Sequence, residues 1–262
     1  MSRINDKFSE LKFNKRKAFI PFIMANFPDF NYSKKLLNSL PELGADLIEI
    51  GIPFTDPMAD GPAIQKAGQR SLSAGTTLVD VLDLVREIRL ENDQVPIVLM
   101  GYYNPIYAFG VEQFLRQALD TGVDGLIIVD LPPEEDIELC IPAKNVGLDF
   151  IRLATPTTSP IRLPTVLKNT SGFIYYVSVA GITGSSNLNV TEVEKEVTRI
   201  KSKTDLPVCV GFGIKTPSDA EKISNIADGV VVGSAIVELI DKKKSLDEIK
   251  NYIQSLANAV HS

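Results

Sequence analysis

The chain alternates between short runs of apolar residues and longer stretches in which apolar residues recur at helical spacing. Eight of the apolar runs are four to eight residues long and rich in Val, Ile and Leu. Such runs are typical of β-strands that are buried on both faces. We predict strands at 18–24, 47–52, 96–100, 125–129, 148–153, 172–179, 207–210 and 229–232. The amphipathic stretches between them predict helices, one of them over 134–145 with Pro142 as a flaw. Residues 101–105 are rich in turn formers and predict a loop, and Pro21 predicts a bulge or a strand start.

Eight strands that alternate with helices predict a parallel barrel. No linker, low-complexity segment or composition shift interrupts the pattern. We therefore expect one α/β domain over residues 1–262, a (β/α)8 TIM barrel with an extra N-terminal helix and extra helices after strands 2 and 8. An open doubly wound sheet is the alternative. It is disfavoured because no Gly-x-Gly-x-x-Gly follows the first strand.

Composition excludes several classes of function. The net charge of −6 argues against general nucleic-acid binding. Cys140 and Cys209 lie far apart and are expected to be buried free thiols. The one histidine, His261, lies next to the C-terminus, where we expect a frayed tail, so histidine-based catalysis and a histidine metal site are not expected. Without a signal-like or membrane-helix-like segment, the sequence predicts a cytoplasmic protein with no membrane partner.

The second strand carries a carboxylate where a buried strand would carry a hydrophobic residue. Glu49 lies between Ile48 and Ile50, and the loop that follows brings in Asp60. An unpaired carboxylate in apolar surroundings has a raised pKa and can hold or release a proton near neutrality. Two carboxylates in different environments supply an acid and a base without histidine. The alternative for Glu49 is a structural ion pair, for which Arg152 on the fifth strand is the candidate.

Small residues follow the last two strands. Backbone N–H groups of Gly213, Gly233 and Ser234 are placed where they can bind a phosphate, and Gly184 after the sixth strand can complete the cradle. Tight turns alone are the alternative for these glycines. The same rim carries aromatic and apolar candidates for substrate binding, which are Phe22, Met100, Tyr102, Tyr175 and Phe212.

The loop after the second strand has a long and unusual sequence, Ile-Glu-Ile-Gly-Ile-Pro-Phe-Thr-Asp-Pro-Met-Ala-Asp-Gly-Pro, followed by Gln65 and Ala67. It resembles the signature of the tryptophan synthase alpha chain family. Further family-like segments follow in the right order at 100–105, 125–132, 181–184, 211–214 and 231–235. The resemblance therefore covers nearly the whole chain.

The resemblance implies a lyase of tryptophan biosynthesis. The expected reaction is retro-aldol cleavage of indole-3-glycerol phosphate to indole and glyceraldehyde 3-phosphate. Glu49 matches the family's acid/base, and Asp60 matches the carboxylate that stabilises the indole ring nitrogen. Tyr175 matches a site tyrosine, and Thr183 matches a loop residue that closes onto Asp60. The phosphate site matches at Gly184, Gly213, Gly233 and Ser234.

The resemblance also implies a partner. A tryptophan synthase beta subunit that carries pyridoxal phosphate is expected, as an alpha2beta2 complex, with no cofactor and no metal in this chain. The loop from Pro53 to Pro57, with Asn104-Pro105 and Pro132, matches the partner surface. Three alternatives remain open at this point: a free-standing lyase, a mainly allosteric binding subunit, and a different phosphate-utilising barrel enzyme.

Two positions depart from the family pattern. Asn26-Phe27-Pro28 stands where Gly-Asp-Pro is usual, and Val179 replaces a frequent Arg. These departures concern loop conformation and coupling to the partner, whereas the catalytic candidates are intact.

Overall fold

Eight parallel strands close into a barrel in strict sequence order. A computed structural model describes residues 2–178, 189–211 and 213–262. The strands are β1 (Ala18–Met24), β2 (Ile48–Gly51), β3 (Ile97–Gly101), β4 (Gly125–Ile128), β5 (Asp149–Ala154), β6 (Ile174–Val177), β7 (Val208–Gly211) and β8 (Gly229–Val232). Because β8 pairs with β1 as well as with β7, the sheet has no free edge. The predicted TIM barrel is confirmed, and the open doubly wound sheet is excluded.

Helices surround the barrel. They are α1 (Arg3–Phe13), α2 (Phe30–Ser39), α3 (Pro62–Ser73), α4 (Leu78–Glu91), α5 (Tyr103–Phe109), α6 (Val111–Thr121), α7 (Cys140–Asn145), α8 (Leu163–Leu167), α9 (Val190–Lys201), α10 (Pro217–Ser224), α11 (Ser234–Asp241) and α12 (Leu246–His261). The predicted extra helix at the N-terminus and the extra helices after β2 and β8 are therefore present.

Two predictions for segments between the strands, one of a loop and one of a helix, were wrong in detail. The segment after β3 was predicted as a loop because it contains Asn104 and Pro105, yet it forms α5. Pro105 lies in the first turn of α5, where a helix does not need its missing N–H. The single helix predicted over 134–145 is instead a 3₁₀ turn at Pro133–Glu135 and then α7, in which Pro142 again occupies the first turn.

The two-residue period of the strands separates the inside of the barrel from the outside. On β2, Ile48 and Ile50 pack outward into the layer between strands and helices. Leu47 faces the inner cluster, which it shares with Val98, Ile127 and Ile151. Since successive side chains on a strand point to opposite faces, Glu49 points into the barrel.

Helix α1 covers the N-terminal end of the barrel. Its apolar residues Ile4, Phe8 and Leu11 are buried against the inner cluster. The ring of Phe8 lies 5.7 Å from that of Phe173, measured between centroids. With this end covered, access to the barrel interior is from the C-terminal ends of the strands.

Strand β1 and helix α12 correct two further expectations. A bulge or strand start was expected at Pro21, but β1 is continuous: it pairs with β8 up to Pro21 and with β2 from Phe22 onward. The prediction that the C-terminal residues form a frayed tail was also wrong. His261 closes α12, and its Nε2 lies 2.8 Å from Oδ2 of the buried Asp46.

Two further predictions from composition concern the thiols and membrane-spanning segments. Cys140 and Cys209 are buried and unpaired, as predicted. In the described ranges, no helix is both long enough and apolar enough to cross a membrane.

Candidate active site

A cavity opens at the C-terminal ends of the strands, the face on which barrel enzymes carry their active sites. It encloses about 580 Å³ when the open mouth and the solvent space in it are included. The residues that line it come from β1, β2, β3, β6 and β8 and from the segments after β2, β7 and β8: Phe22, Glu49, Asp60, Gly61, Ile64, Met100, Tyr175, Gly213, Ile214, Lys215, Val231, Gly233, Ser234 and Ala235. The two strongest chemical candidates and most of the predicted binding residues therefore share one cavity.

Glu49 is almost fully buried, with 1% of its surface exposed. It lies beside Phe22 on β1 and Val98 on β3. Neither of its carboxylate oxygens has a hydrogen-bond partner among the described residues. Because a buried carboxylate without a partner is costly, this arrangement is unusual for a purely structural residue.

Arg152 does not pair with Glu49, so the structural alternative for Glu49 fails. Arg152 lies on the outer face of β5, with its guanidinium 5.0 Å from the centroid of the Phe150 ring. It donates to the carbonyl of Leu131 at 2.8 Å and forms an ion pair with Asp136. It thus ties the segment after β4 to β5, on the opposite side of the sheet from Glu49.

The two carboxyl groups have different proton affinities. Burial, with a smaller contribution from the charge of Asp60, raises the pKa of Glu49 to about 8. Burial also raises the pKa of Asp60 to about 6, against the opposing effect of a hydrogen bond from Tyr102. At neutral pH, Glu49 therefore holds its proton and Asp60 is mostly ionised, which is the division of roles an acid and an electrostatic stabiliser require.

Tyr102 positions the loop that carries Asp60. Its buried hydroxyl accepts a hydrogen bond from the backbone N–H of Ala59 at 3.0 Å and bonds to the Asp60 side chain. Its ring packs against Phe54, with 5.2 Å between centroids. Tyr102 was predicted as a substrate-binding residue, but it is not among the described residues that line the cavity, and it reaches the site through Asp60.

Tyr175 enters the cavity from β6, between β5 and β7. Burial and the neighbouring Glu49 raise the pKa of its hydroxyl well above the usual value. The hydroxyl lies against Gly211 on β7: a Cβ built on that glycine would be 2.3 Å from the tyrosine oxygen. Gly211 therefore makes room for Tyr175, a role that was not predicted from the sequence.

Phe22 and Met100 form apolar walls. Phe22 fits between two glycines, since a Cβ on Gly51 would be 2.5 Å from its ring and a Cβ on Gly233 would be 3.2 Å from its Cβ and ring. Met100 is partly buried at the end of β3, paired with Gly51. These residues line the cavity beside Glu49, where a flat aromatic group would be desolvated.

Another part of the wall consists of backbone and small side chains. Gly213 has a φ of 77° in the loop after β7, which suits glycine. Gly233 is the N-cap of α11, and Ser234 is its first residue. The first N–H groups of a helix lack internal acceptors and attract anions, so these positions fit a phosphate. Thr183, Gly184 and Phe212 lie outside the described residues.

The structure adds residues to those predicted. Lys215, in the loop between β7 and α10, also lines the cavity. The sequence signal that could have identified Lys215 is its position two residues after Gly213, because this places a cation in the same loop as a predicted phosphate-binding residue. Among the described residues, no group of three or more metal-ligating side chains is arranged to hold a metal ion.

The departure at Asn26 is compatible with the loop geometry. Asn26 has a φ of 54°, in the left-handed region that glycine adopts freely. Asparagine is among the non-glycine residues that best tolerate this region. The substitution thus allows the turn after β1 to keep a glycine-like backbone. Val179, the second departure, lies outside the described residues.

Comparisons with known proteins agree with this geometry. The family model of the tryptophan synthase alpha chain matches residues 8–261. The structure is similar to tryptophan synthase subunit alpha of Legionella pneumophila, with a TM-score of 0.92 and 39% identity over 99% of this chain and 98% of that one. It is also similar to a protein of Aquifex aeolicus VF5, with a TM-score of 0.92 and 39% identity over all of both chains.

A third similar structure is that of tryptophan synthase from Mycobacterium tuberculosis in an open form, with a TM-score of 0.90 and 33% identity over 99% of each chain. The family match extends over almost the entire sequence, and the matched structures share the complete barrel. The chain therefore belongs to the tryptophan synthase alpha chain family.

Proposed function

We propose that this chain is a lyase that cleaves indole-3-glycerol phosphate into indole and glyceraldehyde 3-phosphate. One observation carries the proposal: a buried carboxyl group without a hydrogen-bond partner, Glu49, shares a cavity with a second carboxyl group and with the N-terminus of α11. The cavity offers apolar walls for an aromatic ring and backbone N–H groups for a phosphate. This matches the two ends of the substrate.

Glu49 is the proposed acid and base. With a pKa of about 8, it is protonated at neutral pH and can donate its proton to C3 of the indole ring. The resulting carboxylate then takes the proton of the hydroxyl on the adjacent glycerol carbon. As that carbon becomes an aldehyde, the carbon–carbon bond breaks and its electron pair returns to the ring. Indole keeps the proton at C3, and Glu49 ends protonated, ready for another turnover.

Asp60 is the proposed electrostatic stabiliser. When C3 is protonated, positive charge develops on the ring nitrogen, and an ionised carboxylate lowers the energy of that species. The hydrogen bond from Tyr102 favours the ionised form of Asp60 and fixes its position. The energetic benefit is largest where water is excluded, as it is around the buried Glu49.

The test of this function is indole release by the purified chain from indole-3-glycerol phosphate, with and without added beta chain. We expect activity that Glu49→Gln lowers by about a hundredfold or more, the usual contribution of a general acid. Glu194→Gln, a change on the exposed face of α9, is the matched control. No indole in either condition would overturn the proposal.

We further propose a partner that covers the loops after β2, β3, β4 and β5. Large apolar side chains are exposed on each of these connections: Met58, Tyr107, Ile137 and Ile161, with 66–90% of their surface accessible. Exposed apolar residues grouped at one end of a barrel are typical of a protein interface. Family membership supports a tryptophan synthase beta chain as the partner, and we propose that this beta chain carries pyridoxal phosphate and receives the indole.

Sedimentation analysis of the chain mixed with purified beta chain tests the partner. Met58→Lys and Ile137→Lys should each weaken the complex, since a charge would be buried at the contact. Leu90→Lys, at a site that is 75% exposed on α4, is the control. Full indole release without complex formation would instead favour a free-standing lyase. An unchanged cleavage rate of the complex after Glu49→Gln would favour a mainly allosteric subunit.

A further inference from the structure

We infer that the Lys215 side chain binds the phosphate of the substrate, adding a positive charge to a cradle otherwise made of backbone groups. The inference rests on the proposed function, since that function supplies the phosphate. Lys215 is the only cationic residue among the described residues that line the cavity. The cavity also contains the mostly ionised carboxylate of Asp60, so a doubly charged phosphate needs a compensating cation.

The place of Lys215 in the fold supports this role. It follows Gly213 and Ile214 and lines the same cavity as Gly233 and Ser234. The N-terminus of α11, with its partial positive charge, begins at Ser234. Lys215 and the first residue of α11 thus line the same cavity, so a phosphate bound there can interact with both the lysine charge and the helix end.

The backbone of Lys215 is fixed while its ammonium group is available. Its N–H donates to Asp219 Oδ2 at 3.3 Å, and its carbonyl accepts from the Tyr252 hydroxyl at 2.7 Å. Its ammonium group makes no ion pair with any described residue, and the residue is exposed. Asp219 is occupied instead by the capping box of α10, where it accepts from the N–H of Thr216 at 3.0 Å.

The ionisable groups of the cavity thus have distinct roles. The carboxyl groups of Glu49 and Asp60 act on the indole part of the substrate, and Lys215 neutralises its phosphate. In a chain of net charge −6, a local cation also reduces the repulsion that an anionic substrate meets on approach. Lys215 therefore contributes to substrate affinity and association more than to bond cleavage.

Steady-state kinetics of Lys215→Met and Lys215→Arg test whether Lys215 contributes to substrate affinity rather than to bond cleavage. Lys215→Met should raise KM for indole-3-glycerol phosphate about tenfold, as expected for a partly exposed charge-assisted contact, with kcat changed less than about twofold. It should also weaken the salt dependence of kcat/KM. Lys215→Arg should stay within about threefold of the wild type. Lys222→Met, on the exposed side of α10, controls for the loss of a lysine.

Binding of inorganic phosphate, followed by calorimetry on the wild type and the variants, separates this inference from the proposed function. We expect Lys215→Met to weaken phosphate binding about tenfold and Lys222→Met to leave it unchanged. If phosphate binding depends on Lys215 but no indole is formed, the proposed function fails and the phosphate role of Lys215 stands. Equal phosphate affinity in the wild type and Lys215→Met, or no phosphate binding by the wild type, overturns the inference.

Discussion

The hydroxyl of Tyr175 lies so close to Gly211 that the glycine cannot be replaced without movement. A Cβ at position 211 would be 2.3 Å from the hydroxyl oxygen and 2.5 Å from a ring carbon. Adjacent strands β6 and β7 thus place a large side chain against a residue that has none. This pairing positions the tyrosine next to Glu49 inside the barrel.

We predict that Gly211→Ala displaces the Tyr175 ring toward Glu49 and impairs the site. Overpacking of this kind costs about 1–3 kcal/mol in the free energy of unfolding. Indole release should fall at the same time, because the ring would enter the space meant for substrate. Chemical denaturation and a steady-state assay measure the two effects.

Gly68→Ala on α3 is the control for that change. A Cβ at position 68 meets only Met24, at an ordinary contact distance of 3.5 Å. Alanine also favours a helix interior over glycine by about 1 kcal/mol, so this variant should be at least as stable as the wild type. Wild-type stability and activity in Gly211→Ala would contradict the steric relationship described here.

The hydrogen bond from Tyr102 leads to a prediction about the pKa of Asp60. The Tyr102 hydroxyl lowers the pKa of Asp60, which burial alone would raise further. Tyr102→Phe removes this hydrogen bond, so the pKa of Asp60 should rise above about 6 and less of it will be ionised at neutral pH. The pH dependence of the Asp60 carboxyl ¹³C chemical shift measures this directly.

The same measurement on a control variant shows whether the change in the pKa of Asp60 is specific to the Tyr102 hydroxyl or follows from the loss of any tyrosine hydroxyl. Tyr107→Phe, on the exposed part of α5, should leave the titration of Asp60 unchanged. A pKa of Asp60 that is equal or lower in Tyr102→Phe would show that the hydroxyl does not stabilise the carboxylate.

Glu49 predicts an unusual dependence of stability on pH. Its folded-state pKa of about 8 lies above the usual value of 4.5. The folded chain therefore holds more protons than the unfolded chain between these values, and stability falls as pH rises through that window. Glu49→Gln removes the effect, so the variant should be more stable than the wild type at pH 8.5 and close to it at pH 4.5.

The size of this effect is bounded by the pKa shift. Each unit corresponds to about 1.4 kcal/mol, which sets an upper limit of about 5 kcal/mol at pH 8.5. Urea denaturation across the pH range measures it, with Glu194→Gln as an exposed control. A wild-type chain whose stability does not change between pH 5 and pH 8.5, relative to Glu49→Gln, would mean that Glu49 titrates normally.

The barrel was predictable because its strands carry a strong local signal. β1 and β8 were predicted with their observed bounds, and the other strands to within a few residues, since each is an apolar run ended by turn residues. The anomaly at Glu49 was visible for the same reason, because it breaks such a run. α5 was missed because Asn104 and Pro105 favour turns, and only the packed structure shows that they occupy the first turn of a helix.

Relations between distant segments were beyond the sequence. Arg152 was a plausible partner for Glu49 until the two-residue period of β5 placed it on the outer face with Phe150. The role of Tyr102 depends on a hydrogen bond to a loop some 40 residues earlier, and that of Gly211 depends on a neighbouring strand. Such contacts are set by tertiary packing and leave no local pattern.

The two carboxyl groups predict a bell-shaped pH dependence of indole release. Cleavage as proposed requires Asp60 ionised and Glu49 protonated. The logarithm of kcat/KM should therefore rise with pH up to about 6, where Asp60 ionises, and fall above about 8, where Glu49 loses its proton. Because the groups interact, the observed values belong to the pair.

Variants of the two carboxyl groups show which group produces each limb of the pH profile. The substrate phosphate also titrates near pH 6, so Asp60→Asn is decisive: its acid limb should disappear, and its rate at neutral pH should drop by about a hundredfold. An acid limb that stays at the same pH in this variant would belong to the phosphate and remove Asp60 from the assignment. A wild-type profile that stays flat up to pH 9.5 would contradict the raised pKa of Glu49, because a carboxyl group that is already ionised at neutral pH cannot donate the proton that cleavage requires.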